Sequence, residues 1–152
     1  MYFDLSISIR RLPEDVFGFL RDKDKYPQDP GSPVLALEQT TPGPAGIGTR
    51  YREVVRMLHF IRGEIHSVVT HFEPGRRLEE DFEGAGMVGH LAYRFVPEDG
   101  GTRLTQQETV CTRGFARALE PIMKRMLSRQ LRKRLETIKA VLESGWVVAQ
   151  HQ

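Results

Sequence analysis

Between Tyr2 and Arg10 apolar and polar residues alternate, with Phe3, Leu5, Ile7 and Ile9 set against Asp4, Ser6, Ser8 and Arg10. A period of two over this length is that of a strand with one buried face. The pattern breaks at Pro13-Glu14-Asp15. Proline suits a first helical turn, and the two acids sit at the positive end of the helix dipole. Val16, Phe17, Phe19 and Leu20 supply the buried side of this short helix. The polar stretch 22–33, with Pro27, Pro30, Gly31 and Pro33, ends it and leaves room for a second small helix around Asp24–Tyr26.

Alternation resumes over Val34–Thr40, and a Pro42-Gly43-Pro44-Ala45-Gly46 turn cluster follows. Further strands are read at Thr49–Leu58, Ile61–Phe72, Leu78–Glu83, Met87–Val96 and Thr102–Thr112. Pro74-Gly75 and Asp99-Gly100 are turn signals between them. Arg50, Arg52 and Arg56 mark the wet face of the Thr49–Leu58 strand, so Tyr51, Glu53, Val55 and Met57 turn inward. Five strands in succession on short turns predict an antiparallel meander.

After Gly114 the spacing changes to three and four, with Leu119, Ile122, Met123, Met126, Leu131, Leu135, Ile138 and Leu142 on one stripe. This predicts an amphipathic helix over Phe115–Ser144, roughly 40 Å long at about 1.5 Å per residue. Pro121 either starts that helix or kinks its first turn. Gly145 ends it, and 146–152 reads as a loose tail outside a single domain of residues 1–145. The expected fold is α+β: a curved antiparallel sheet wrapped around a long C-terminal helix, with two short N-terminal helices. One sheet face and one helix stripe must bury each other, and a sheet curving round a helix readily leaves a pocket between them.

Composition narrows the function classes. A chain of 152 residues, 39% apolar and 28% charged, holds one domain with a real core and is not disordered throughout. A net charge of +2 gives no global field for nucleic acid, and no nucleic-acid partner is expected. The charge is uneven, however. Residues 79–83 are acidic, while Arg117, Lys124, Arg125, Arg129, Arg132, Lys133, Arg134 and Lys139 make the last helix basic. That face reads either as a solvated surface whose long stems shield the apolar stripe or as a surface for a partner or an anionic membrane. Cys111 is the one cysteine, which rules out an intrachain disulfide and fits a reducing cytoplasm. No apolar leader is evident at the start, and no run approaches the ~20 residues of a bilayer span. A cytoplasmic location without stable membrane insertion follows as the expectation.

The element order, together with Pro13-Glu14-Asp15-Val16-Phe17, Gly46-Ile47-Gly48-Thr49-Arg50-Tyr51, Phe72-Glu73-Pro74-Gly75-Arg76-Arg77-Leu78, Tyr93-Arg94-Phe95 and Gly100-Gly101-Thr102-Arg103-Leu104, resembles the START-like, Bet v 1-like (SRPBCC) superfamily in its polyketide cyclase/dehydrase-like branch. The resemblance covers nearly the whole chain. It implies a helix-grip fold and an internal cavity for an apolar or amphipathic small molecule. It does not choose among carriers, cyclases and receptors, because one fold hosts them all.

By alternation Tyr51, Glu53, Val55, Met57, Ile65, Phe82, Leu91, Tyr93, Gln106 and Glu108 are the candidate ligand-binding residues of the sheet, with Met123 and Met126 facing them from the helix. The polar members carry the information, since an unpaired carboxylate in a dry core is costly. Glu53, Glu80, Glu108 and Tyr93 are the candidates for catalysis. Crowded carboxyls have raised pKa values suited to proton transfer in aldol cyclisation or dehydration, and a tyrosine can donate to an enolate oxygen. Against this, the glutamates can pair with an arginine or face water through a bulge. His59, His66, His71, His90 and His151 lack metal-ligand spacing, and no phosphate-binding loop or Gly-x-Ser-x-Gly elbow is present, so no metal and no cofactor is expected. Three readings stay open: a module that binds a lipid- or polyketide-like molecule, a cyclase or dehydratase, and a partner-binding protein. The open sheet edges also leave homodimerisation available.

Overall fold

The alternating segments form seven strands: β1 (Tyr2–Ile9), β2 (Val34–Gln39), β3 (Arg50–Leu58), β4 (Ile61–Glu73), β5 (Arg77–Gly84), β6 (Met87–Glu98) and β7 (Gly101–Thr112). In the computed structural model, which describes residues 1–26, 32–58 and 61–145, they make one antiparallel sheet in the order β1-β7-β6-β5-β4-β3-β2. The meander runs from β2 to β7, and β1 closes onto its last strand, with Phe3 opposite Glu108 and Leu5 opposite Gln106. The segment 146–152, read as a tail, lies outside the described residues, as do His59 and His151.

Two short helical elements follow β1: α1 (Pro13–Arg21) and a single 3₁₀ turn at Lys23–Lys25. Proline does stand in the first turn of α1, with Glu14 and Asp15 beside it. Its apolar side inserts Phe17 edge-on between Phe72 and Phe95, at ring separations of 5.2 and 5.3 Å. Val16, Phe17, Leu20, Tyr51, Leu78, Phe95 and Leu104 form one buried cluster at this end of the sheet.

The long helix, α2 (Glu120–Glu143), is preceded by a 3₁₀ segment at Gly114–Leu119. It therefore starts later than Phe115: Pro121 lies in its first turn, where the missing N–H costs nothing. Its C-terminal half joins the core through Leu135, Ile138 and Leu142. That half is also tied to the chain around β1. Arg11 Nη1 donates to the Leu142 carbonyl at 2.8 Å, Lys139 Nζ donates to the Ser8 carbonyl at 2.6 Å, and the Arg10 backbone N–H donates to Glu143 Oε1 at 2.9 Å.

The predicted stripe fails over the first turns of α2. Leu119 is 49% exposed, Ile122 70% and Met126 43%, and nothing from Glu120 to Arg134 is fully buried. Here the helix bridges space instead of lying on the sheet, so shared periodicity does not translate into burial.

Candidate functional site

The space under α2 is a cavity of about 250 Å³ between the helix and the inner face of β2–β7. Its walls follow from strand register. Glu80, Leu91 and Glu108 are directly paired across β5, β6 and β7, so two carboxylates share one cross-strand row with a leucine between them. The neighbouring row carries Leu78, Tyr93 and Gln106. Glu53 enters from β3, paired with Ile65 on β4. Phe82 can lie in this wall because its cross-strand neighbour is Gly89, where an added Cβ would fall 2.4 Å from Phe82 Cζ and 2.3 Å from the Thr109 carbonyl oxygen.

From the other side, Leu127, Gln130, Leu131, Lys133 and Arg134 of α2 close the cavity. Leu20 and Lys23 close one end, and Ser32, Pro33 and Val34 lie at the rim. Leu37, Ile65, Leu78, Phe82, Met87, Leu91 and Val110 are apolar residues of the sheet wall.

The polar residues are organised around one cation. Lys23 Nζ donates to Glu80 Oε2 at 2.8 Å and stands 3.8 Å from Glu53 Oε1. The same ammonium lies 4.4 Å from the centre of the Tyr51 ring. Glu80 thus has a partner, although a lysine from the 3₁₀ turn and not an arginine. Glu108 has no cation within ion-pair distance among the described residues and takes only a hydrogen bond from Gln106 Nε2 at 3.2 Å. Burial pushes its carboxyl up to about 7, the Gln106 bond opposes the rise, and the charges of Glu53 and Glu80 add to it. Its side chain is half-buried and faces the cavity.

Tyr93 is pushed up to about 12, first by burial and then by the charges of Glu108 and Glu80, while the charge of Arg134 lowers it. It is therefore a neutral hydroxyl at physiological pH. Two buried polar atoms of the wall, Ser67 Oγ and Gln106 Oε1, have no protein partner.

Seven of the twelve candidate ligand-binding residues line the cavity: Glu53, Ile65, Phe82, Leu91, Tyr93, Gln106 and Glu108. Glu80, a candidate for catalysis, lines it too. Five do not. Tyr51 is buried beyond its end, where its hydroxyl donates to the Arg21 carbonyl at 3.3 Å and burial raises its pKa. Val55 is buried but outside the wall. Met57 stands 40% exposed near the β3–β4 turn, where the register shifts between Arg56 and Leu58. Met123 and Met126 lie on the part of α2 that does not seat on the sheet.

Lys23, Ser67, Lys133 and Arg134 are wall residues outside the candidate set. Ser67 was legible from the alternation of β4. Lys23 was not, because its position depends on how the 3₁₀ turn folds back over Tyr51. Among the described residues no group of three His, Cys, Asp or Glu side chains is placed to hold a metal ion. Among them, too, no helix is long and apolar enough to cross a membrane.

A family profile described as polyketide cyclase / dehydrase and lipid transport matches residues 2–143. Among solved structures, the protein TTHA0849 from Thermus thermophilus superposes with a TM-score of 0.75 at 18% identity, covering 97% of this chain and 100% of that one. DR_A0006 from Deinococcus radiodurans gives 0.68 at 20% identity, covering 95% and 99%. An uncharacterised protein from Rhizobium leguminosarum gives 0.71 at 14% identity, covering 95% of each chain. At these identities the structures share the fold and no more. No curated protein gives a significant sequence match.

Proposed function

Since the chain belongs to the polyketide cyclase / dehydrase and lipid transport family, we propose that it binds one amphipathic small molecule, lipid- or polyketide-like, between the sheet and α2. The apolar body lies against Leu78, Phe82, Leu91 and Val110, and the polar end meets Glu53, Glu80, Gln106 and Glu108. The observation that carries the reading is the cavity itself, in which Glu53, Glu80 and Glu108 are set among Leu78, Phe82, Leu91 and Val110. A ligand hydroxyl or N–H that meets Glu108 pairs a carboxyl otherwise held by Gln106 Nε2. The volume of about 250 Å³ sits just below the usual range of ligand pockets and selects a compact ring system or a short acyl chain.

Native mass spectrometry of the purified protein tests this together with a Gln106→Leu variant. The expected result is a co-purifying small molecule in the parent protein that the variant retains roughly tenfold less well. A parent that carries nothing, takes up no apolar fluorescent probe, and gains stability from Gln106→Leu would sink the reading.

One observation favours a second reading, catalysis. Glu108 is poised near pH 7, where a carboxyl can both give and take a proton. Tyr93 stays protonated in the adjacent cross-strand row. In a cyclase or dehydratase, Glu108 would remove a proton α to a carbonyl and Tyr93 would donate to the developing oxyanion. Glu108→Gln should then abolish proton exchange at the α-carbon of a bound keto compound while leaving its binding within a few-fold. Equal exchange in parent and variant excludes Glu108 as the base.

A further inference from the structure

The first part of α2 and the 3₁₀ segment before it are not accounted for by the cavity. Phe115 is 95% exposed, Leu119 49%, Ile122 70% and Met126 43%. The 3₁₀ segment contains no buried residue, and α2 contains none before Leu135. An apolar series of this kind, left uncovered on a soluble surface, marks a docking face.

Its charge says what it docks to. From Arg113 to Leu135 the sequence has eight cations, Arg113, Arg117, Lys124, Arg125, Arg129, Arg132, Lys133 and Arg134, and one acid, Glu120. That acid is engaged internally, accepting from Thr112 Oγ1 at 3.1 Å and lying 3.9 Å from the N-terminal ammonium. None of Lys124, Arg125, Arg129 and Arg132 has an ion pair with a carboxylate among the described residues, and these four surround a shallow depression with Pro121 and Ser128. Ile122, Met126, Arg129 and Lys133 follow one another at spacings of four, three and four, so one helix face runs from the apolar end to the cavity rim.

The sheet supplies further apolar surface at the same end. Met57 and Ile61, near the β3–β4 turn, are 40% and 43% exposed. The facing ends of β3 and β4, the β5–β6 turn and the 3₁₀ segment meet. A Cβ on Gly63 would fall 2.8 Å from Met57 Sδ and 3.0 Å from Ala85 Cβ, and one on Gly86 would fall 3.4 Å from Ala116 Cβ.

We infer that this end of the molecule, Phe115–Lys133 with Met57 and Ile61, is a docking face for an anionic lipid bilayer surface. Phe115, Leu119, Ile122 and Met126 enter the boundary between headgroups and acyl chains, while Lys124, Arg125, Arg129 and Arg132 meet the phosphates. A nucleic acid would use the cations but gain little from the two aliphatic side chains and the methionine among them. A membrane uses both. The inference stands apart from the cavity reading, since it needs no ligand in the cavity.

The test is co-sedimentation of the full chain with vesicles of phosphatidylcholine alone and of phosphatidylcholine mixed with phosphatidylglycerol. The expected result is binding to the mixed vesicles only, weakened by added salt. An Arg125→Glu, Arg129→Glu double variant should lose about thirtyfold or more in partitioning, at roughly fivefold per cation near the surface before the effect of the new charges. A Phe115→Ser, Ile122→Ser double variant should lose at least about tenfold with its melting temperature unchanged, because both side chains already face solvent.

No binding to the mixed vesicles overturns the inference. So does binding that the serine variant leaves intact, which is attraction to any polyanion, or tighter binding to an oligonucleotide of equal charge. So does a concentration-dependent dimer that the serine variant dissolves, which assigns the face to a second copy of this chain.

Discussion

At Glu108 the cavity keeps a carboxyl that the surrounding structure prefers protonated. Its pKa stands at about 7 against an ordinary value of 4.5. The folded form therefore binds more protons than the unfolded chain between those values. The sign follows: the contribution to stability is fully present below about pH 4.5 and is lost as pH rises through about 7. The full shift corresponds to about 3 kcal/mol. Glu108→Gln removes the titration and keeps the shape. It should melt within a degree or two of the parent near pH 4.5, and become progressively more stable than it up to about pH 8, by as much as about 3 kcal/mol. Parallel melting curves at every pH would mean that water reaches Glu108 freely. Lys23 is the opposite case, a cation that two carboxylates require. Lys23→Met should cost about 3–5 kcal/mol in urea unfolding, because Glu80 at 2.8 Å is left buried without its counter-charge. A Lys23→Met, Glu80→Met pair should recover much of that loss.

How far the site could be read in advance depended on which kind of geometry placed each residue. Glu80, Gln106 and Glu108 sit on β5 and β7, whose pairings with β6 run without a register break, so counting by twos gives their facing correctly. Met57 lies at the shift between Arg56 and Leu58, where counting stops working. Lys23 and Arg134 reach the cavity by side-chain length from helical elements. No local pattern encodes that reach, because it depends on the distance between elements.

At the scale of the element, α2 is two structures in one helix. The 3.6-residue period makes the body of the helix legible, though not its start, which lies at Glu120 instead of Phe115, and it describes only which residues share a face. It does not say how far the partner surface extends. Leu135, Ile138 and Leu142 meet β1 and α1, whereas Ile122 and Met126 extend beyond any covering layer. Two substitutions of the same chemistry should therefore differ sharply. Ile138→Ala, at 1% exposure, is expected to cost about 2–5 kcal/mol. Ile122→Ala, at 70% exposure, should change stability by no more than about 0.5 kcal/mol. Equilibrium urea unfolding of the two variants measures both. A large loss at Ile122 would show that the first turns are covered in solution.

For the whole molecule, a sheet and a helix clamped at one end hold open a cavity whose charged residues are three carboxylates and three cations. That arrangement predicts which ligands discriminate. Three acids, Glu53, Glu80 and Glu108, share the wall with Lys23, Lys133 and Arg134; Lys23 is paired with Glu80, and Glu108 changes charge near pH 7. A neutral hydroxylated bicycle such as 1-naphthol can donate to a Glu108 oxygen at any pH up to about 8. Its carboxylate counterpart, 1-naphthoate, meets an additional negative charge once Glu108 ionises, worth about tenfold in affinity at partial screening. At a concentration of about a hundred times Kd, a bound ligand stabilises the fold by about 2.7 kcal/mol. For a domain of this size that raises Tm by about 5–10 °C. The expected outcome is a rise of that order with 1-naphthol at about pH 6 and about pH 8, and a rise with 1-naphthoate that shrinks over the same interval in the parent but not in Glu108→Gln. If both compounds behave alike at both pH values, Glu108 does not face the ligand's polar end. If neither moves Tm, the cavity does not take a ligand of this class.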